Sequence, residues 1–211
     1  MSDLIRVDVF SDIACPFCFI GDTRLERATH PDIKLDWVWH PFQLQPNMPE
    51  RGIAWETFSV QKFGGLEARR AAFATVLQAG QNEGITFDFE TMPVAPNTAL
   101  AHRLVLLASK SGLGKPMALA LYKAYFSQAQ DITDSLILEQ IAVQVGLDLN
   151  LVRVTLAGVR FRQEVEDSQL EAQRLGISGV PFFIFNQRLS LSGAQPIEVF
   201  REVLSRLTAP S

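Results

Sequence analysis

The only two cysteines of the 211-residue chain, Cys15 and Cys18, stand two residues apart in the stretch SDIACPFCFIG. Disulfide exchange runs through a thiolate that attacks a disulfide sulfur, so one cysteine must be reachable and partly ionised. A second thiol three positions along a helix returns to the first within one turn and can release a bound partner. Cys15 suits the first role and Cys18 the second. A metal site is the competing reading of this spacing. Zinc takes four ligands, and His30, His40 and His102 form no second close pair. No metal is therefore expected, and a zinc site would need ligands from a second copy.

These thiols need an element to present them. IRVDVF (Ile5 to Phe10) alternates branched apolar with polar residues and predicts a half-buried strand. Ser11 and Asp12 then offer N-cap oxygens, and Pro16 sits where a first helical turn accepts proline. Cys18, Gly21, Leu25 and Ala28 follow at helical spacing, which points one face inward and leaves Cys15 at the helix mouth. KLDWVWH (Lys34 to His40) predicts the next strand.

Residues 54–176 are different in kind. Helical periodicity marks Trp55 to Phe63, Leu66 to Glu83, Thr98 to Lys110, Pro116 to Gln128, Ser135 to Val145, Leu149 to Leu156 and Phe161 to Leu175. Glycines punctuate the run at 64, 65, 84, 112, 146, 158 and 176. Gly179 to Asn186 and Arg188 to Ser192 then predict two strands joined by a tight turn at Asn186-Gln187, and Pro196 to Leu207 a closing helix. The expected organisation is an α/β domain made of residues 1–53 and 177–211, interrupted by a helical insertion of residues 54–176.

Composition narrows the function. With 47% hydrophobic and 20% charged residues the chain reads as an ordered globular protein. A net charge of −4 and no dense run of Lys and Arg argue against nucleic-acid binding. No stretch approaches the roughly 18 apolar residues of a membrane span, and the N-terminal MSDLIRVDVFSD holds no signal-peptide core. A cytoplasmic location without membrane contact is expected, where a C-x-x-C pair serves redox chemistry rather than a static bridge.

Several residues carry a plainer reading. His40, beside Trp37 and Trp39, is expected to be a packed histidine, and His102 likewise. Asn97 is expected to cap the helix after it, Leu44 with Trp39 and Phe42 to form an apolar rim, and Met117, Leu121, Tyr125 and Phe126 to be core. Pro181, taken alone, starts an edge strand, where its missing N–H does no harm.

The strand leading into CPFC, the helical insertion and the return LGISGVPFFIF (Leu175 to Phe185) resemble the thioredoxin-fold DsbA family, and within it the FrnE-like branch. WHPFQLQPNMP (Trp39 to Pro49), NTALAHRL (Asn97 to Leu104) and SGAQP (Ser192 to Pro196) extend the resemblance over nearly the whole chain. It implies a thioredoxin fold with a large all-helical insertion between the second and third strands. It also implies an exposed nucleophile at Cys15, a buried resolving thiol at Cys18 and a cis-proline at Pro181 facing them. Val180, Pro181, Pro16, Phe17 and Asn97 become the candidate substrate-binding residues, the Val180 backbone being free to pair with a peptide or glutathione.

Periodplasmic members of the family place a thiolate-stabilising histidine where this chain has Phe17, and the Asp12 carboxylate is expected to oppose the thiolate. The leading expectation is a thiol–disulfide oxidoreductase that exchanges disulfides with protein or low-molecular-weight thiols. No tightly bound cofactor is expected, and glutathione enters as a co-substrate. Two other classes stay open: a glutathione-dependent isomerase or transferase of the neighbouring hydroxychromene-carboxylate isomerase and kappa-class groups, which typically carry serine where Cys15 stands, and a non-catalytic peptide-binding or chaperone-like module.

Overall fold

The computed structural model describes residues 3–209. Strand β1 (Asp3–Ser11) leads into helix α1 (Pro16–Ala28) and strand β2 (Ile33–Pro41). The chain continues through a two-residue strand β3 (Ile53–Ala54), helices α2 (Trp55–Phe63) and α3 (Leu66–Asn82), strand β4 (Val94–Ala95) and helix α4 (Ala99–Ser109). Helix α5 (Gly114–Tyr122) runs on into a π-helical turn (Lys123–Ser127), followed by α6 (Ser135–Val145), α7 (Leu149–Ala157) and α8 (Arg162–Arg174). Strands β5 (Phe182–Phe185) and β6 (Leu189–Ser192) and helix α9 (Ile197–Thr208) close the chain.

The main sheet has the order β2-β1-β5-β6. β1 pairs parallel with β2, through the α1 crossover, and antiparallel with β5. β5 and β6 form a hairpin whose turn residues Asn186 and Gln187 have φ of 48° and 56°, as a primed turn requires. This is a thioredoxin fold in which α2 to α8 lie between the second and third strands of the sheet. The sequence reading missed the β3–β4 pair, because two residues per strand carry no periodic signal.

Alternation along β1 sorts the layers. Ile5, Val7 and Val9 are fully buried and share a core with Leu25 of α1, Phe183, Phe185 and Phe200 of α9. Phe10 points the other way, toward Ala172 of α8, Phe42 and Ile177. The largest core cluster begins at the dithiol loop and ends deep in the inserted helices: Ile13, Cys15, Cys18, Phe19, Ile20 and Trp39 belong with Leu104, Leu121, Tyr122 and Phe126. Helix α1 is thus packed on one flank by the sheet and α9, and on the other by the inserted helices.

That enclosure buries a carboxyl group. Asp22 follows Cys18 by four residues, is 2% exposed, and neither of its oxygens has a hydrogen-bond partner. The Trp37 indole N–H approaches without closing a bond. Burial, with the Lys115 charge opposing it, raises the Asp22 pKa from 3.8 to about 7. The folded state then holds its proton more tightly than the unfolded chain does. Stability from this group is intact below about pH 4 and is lost as pH rises from there to about 7, to a limit of about 4 kcal/mol. Asp22→Asn is expected to be more stable than the parent at pH 8 and much closer to it at pH 4, as read by urea denaturation at both pH values.

Candidate active site

The dithiol sits where β1 delivers the chain to α1. The Cys15 N–H donates to the Asp12 carbonyl at 3.0 Å, and the Cys15 carbonyl accepts from the Cys18 N–H at 3.0 Å. Cys15 is itself the N-cap of α1, with extended φ and ψ of −102° and 110°, and Pro16 opens the helix behind it. A thiol at an N-cap lies beside the positive end of the helix dipole. Ser11 and Asp12, expected as caps, do other work.

The Ser11 hydroxyl lies 2.6 Å from the Tyr122 hydroxyl, and both residues are fully buried. Asp12 accepts from the Leu44 N–H at 2.8 Å and the Ala14 N–H at 3.2 Å, so its carboxylate ties the dithiol loop to the segment after β2. Behind it, Trp39 Nε1 donates to His102 Nδ1 at 3.3 Å. That bond leaves the imidazole proton on Nε2, which faces Asp12 Oδ1 at 3.3 Å without hydrogen-bond alignment. Both histidines read as packed are packed: His102 is fully buried, and His40 stacks on Phe10 and contacts Asp8 at 2.8 Å.

Both thiols are free, and both are buried: Cys15 is 5% exposed and Cys18 is inaccessible. The expectation of an exposed Cys15 is corrected, since the 13–15 loop folds inward against Val180. Cys15 Sγ lies 3.6 Å from the Val180 carbonyl oxygen, and the Val180–Pro181 peptide bond is cis. Burial, then the contact and charge of Cys15, push the Cys18 thiol well above the usual thiol range, with Ser11 and the Asp12 backbone opposing. Burial likewise raises the Tyr122 phenol, so the Ser11–Tyr122 pair is a neutral hydrogen bond.

Two contacts set how α1 meets the rest. A Cβ on Gly21 would meet Pro181 Cγ at 3.0 Å and the Phe183 ring at 3.2 Å, so the missing side chain admits the proline against the helix. Arg24 reaches outward to Glu83 at 2.8 Å and to the Ala194 carbonyl at 2.7 Å, linking α1 to the end of α3 and to the loop before α9.

The remaining candidates fall nearby or elsewhere. Phe17 is exposed at the outer edge of the dithiol. Asn97 stands one residue before Thr98, the N-cap of α4, and not at the cap itself; its side chain accepts from the Ala99 N–H at 2.9 Å and donates to the Met48 carbonyl at 2.7 Å. It also borders a cleft of about 500 Å³ with Gln43, Arg103 and Arg162. Phe42 packs beneath β1 with Ala172, and Trp39 is core, so of the expected apolar rim only Leu44 borders the space beside the dithiol loop. That space is an aromatic cavity of about 100 Å³ that Ala14 and Pro16 border on either side of Cys15. Trp55 and Phe58 on α2, Phe73 on α3 and Phe89 in the loop after α3 wall it; the three-residue spacing of Trp55 and Phe58 is the local signal the sequence carries for this wall, and Phe73 and Phe89 join it only through packing.

Among the described residues no three His, Cys, Asp or Glu side chains converge to hold a metal ion, and no helix is long and apolar enough to cross a membrane.

A prediction concerns the polar pair under the dithiol. Tyr122→Phe takes from the buried Ser11 hydroxyl its phenol partner, at a cost of about 1–3 kcal/mol in denaturant unfolding. Adding Ser11→Ala removes the hydroxyl and recovers part of that loss, which a double-mutant cycle measures.

Comparison with known proteins matches residues 6–205 to the DSBA-like thioredoxin domain. YwbO of Bacillus subtilis, an uncharacterized protein, is 27% identical, with 95% of this chain and 96% of that protein covered. The crystal structure of the probable DsbA oxidoreductase SCO1869 from Streptomyces coelicolor superposes with a TM-score of 0.88 at 31% identity, covering 98% of this chain and 92% of that one. The cytosolic disulfide reductase DsbM from Pseudomonas aeruginosa, solved with GSH, shares the fold at a TM-score of 0.66 and 20% identity, covering 95% and 98%.

Proposed function

This chain belongs to the family of DSBA-like thioredoxin domains, and we propose that it is a cytoplasmic thiol–disulfide oxidoreductase that cycles Cys15 and Cys18 between dithiol and disulfide. The observation that carries this reading is the placement of Cys15 at the N-cap of α1, with Cys18 one turn inside and the Val180 carbonyl 3.6 Å from the Cys15 sulfur. Cys15 stands at the positive end of the α1 dipole, and the buried partner is held back from outside reagents by the raised pKa of its thiol.

In the reductive direction, the Cys15 thiolate attacks one sulfur of a substrate disulfide. A Cys15–substrate disulfide forms, and the other half of the substrate leaves as a thiolate that takes up a proton. Cys18, on losing its proton, attacks Cys15 Sγ and expels the second half. The substrate gains two electrons, and the Cys15–Cys18 disulfide holds the oxidised state. Oxidation of substrate dithiols is the same sequence run backwards. Burial orders the two thiols: a Cys18 with a strongly raised pKa is a poor first attacker but a competent one when Cys15 is already next to it in a mixed disulfide.

The Val180 backbone and Pro181 are the proposed docking edge for an extended peptide or for glutathione, with Pro16 and Phe17 at the rim of the dithiol. DsbM, solved with GSH, supports glutathione as a co-substrate. The Asn97 amide is committed to Ala99 and Met48, so a substrate contact from it would come at the expense of those two bonds.

Reduction of insulin disulfides by a dithiol reductant tests the reading. Cys15→Ser is expected to abolish catalysis, whereas Cys18→Ser should accumulate stable mixed disulfides on Cys15, detected by mass spectrometry. Full activity of Cys15→Ser would remove the oxidoreductase and leave a peptide-binding module.

A further inference from the structure

The aromatic cavity beside Cys15 has a composition that the exchange reaction alone does not call for. Its walls are stacked rings: Trp55 lies 6.0 Å from both Phe58 and Phe73, and Phe73 lies 4.4 Å from Phe89. The polar atoms on the aromatic walls are already satisfied. Trp55 Nε1 donates to the Phe89 carbonyl at 2.8 Å and the Tyr125 hydroxyl to the Val94 carbonyl at 3.1 Å. Apart from the exposed Gln45, the cavity therefore presents mainly ring faces and aliphatic groups.

One charged side chain lines it. Lys62 is exposed at the mouth, with Nζ 5.4 Å from the Phe58 ring and 5.8 Å from the Phe63 ring. Those rings hold the ammonium over the opening without neutralising it, and no carboxylate pairs with it among the ion pairs of the described residues. At about 100 Å³ the space is smaller than the apolar cavity of about 150 Å³ that accepts benzene, and with Leu44 and Lys62 exposed at its edge it has room for one aromatic ring at most. Ala14 and Pro16, the residues on either side of Cys15, border it, so a ring inside lies against the dithiol loop.

We propose that this cavity is a substrate subsite for the aryl group of a small aromatic thiol or disulfide that carries a carboxylate, with the ring among Trp55, Phe58 and Phe73 and the carboxylate at Lys62. The proposal rests on the oxidoreductase reading and names a substrate class for it. With an aryl disulfide, Cys15 bonds one sulfur and releases one aryl thiolate. Cys18 then displaces the second, so two electrons and two protons pass from the dithiol to two aryl thiols.

The test compares reduced protein reacting with dithiobis(nitrobenzoate), with uncharged dithiodipyridine and with hydroxyethyl disulfide. Lys62→Gln is expected to slow the first by about threefold to fivefold and to leave the other two unchanged. Phe58→Ala is expected to slow both aryl disulfides by about threefold to tenfold and to spare hydroxyethyl disulfide. Equal effects on all three reagents, or none on any, would overturn the subsite. Binding is read separately in the Cys15→Ser, Cys18→Ser double variant, where benzoate should shift the Trp55 indole N–H signal in NMR and butyrate should not. If exchange fails but benzoate still binds, the oxidoreductase reading is wrong and the pocket stands. If exchange proceeds and benzoate leaves Trp55 unmoved, the pocket is wrong.

Discussion

Packing helix α1 on both flanks is the constraint from which the rest of the structure follows. A helix that covers a sheet on one side needs only one apolar stripe; α1 buries Phe19 and Ile20 toward the inserted helices as well as Leu25 and Ala28 toward the sheet. Cys18 is inaccessible because of this, and Cys15 is nearly so. The same enclosure requires glycine at position 21, where any side chain would press on Pro181. It also leaves Asp22 with no partner and a pKa near 7. The polar side of the helix is confined to residues such as Arg24, which tie it to α3 and to the loop before α9.

The inserted helices are part of the site rather than a cap over it. Tyr122 from α5 meets Ser11 under the dithiol, and His102 from α4 stands between Trp39 and Asp12. Each contact joins the end of β1 or the strand beside it to a residue more than 60 positions away. The loop that carries Cys15 is therefore held from below by the insertion and from the side by Leu44, whose N–H binds Asp12. Asp12, which by its position alone opposes a thiolate at Cys15, spends its charge on backbone N–H groups instead.

Burial also separates the chemical fates of two identical side chains. Cys15 and Cys18 differ by one turn of helix, yet one stands at the positive end of the dipole with a carbonyl beside it and the other in a dry interior. In the proposed cycle this difference alone decides which sulfur meets the substrate first. The aromatic cavity on the far side of Ala14 and Pro16 adds a second choice, of which substrate is held there.

Local pattern in the sequence was enough for the element types and their order. Alternation in IRVDVF, the glycine stops and the Asn186-Gln187 turn each depend on residues a few positions apart, and α2 and α6 begin and end where the periodicity places them. The C-x-x-C spacing marked the dithiol for the same reason. Tertiary structure alone decided what surrounds it. That Ser11 pairs with Tyr122, that Asp12 turns to Leu44, that Cys15 is buried and that α2 and α3 bring Trp55, Phe58 and Phe73 beside Pro16 are results of long-range packing. Periodicity reports which face of an element is apolar, but not which other face it will meet.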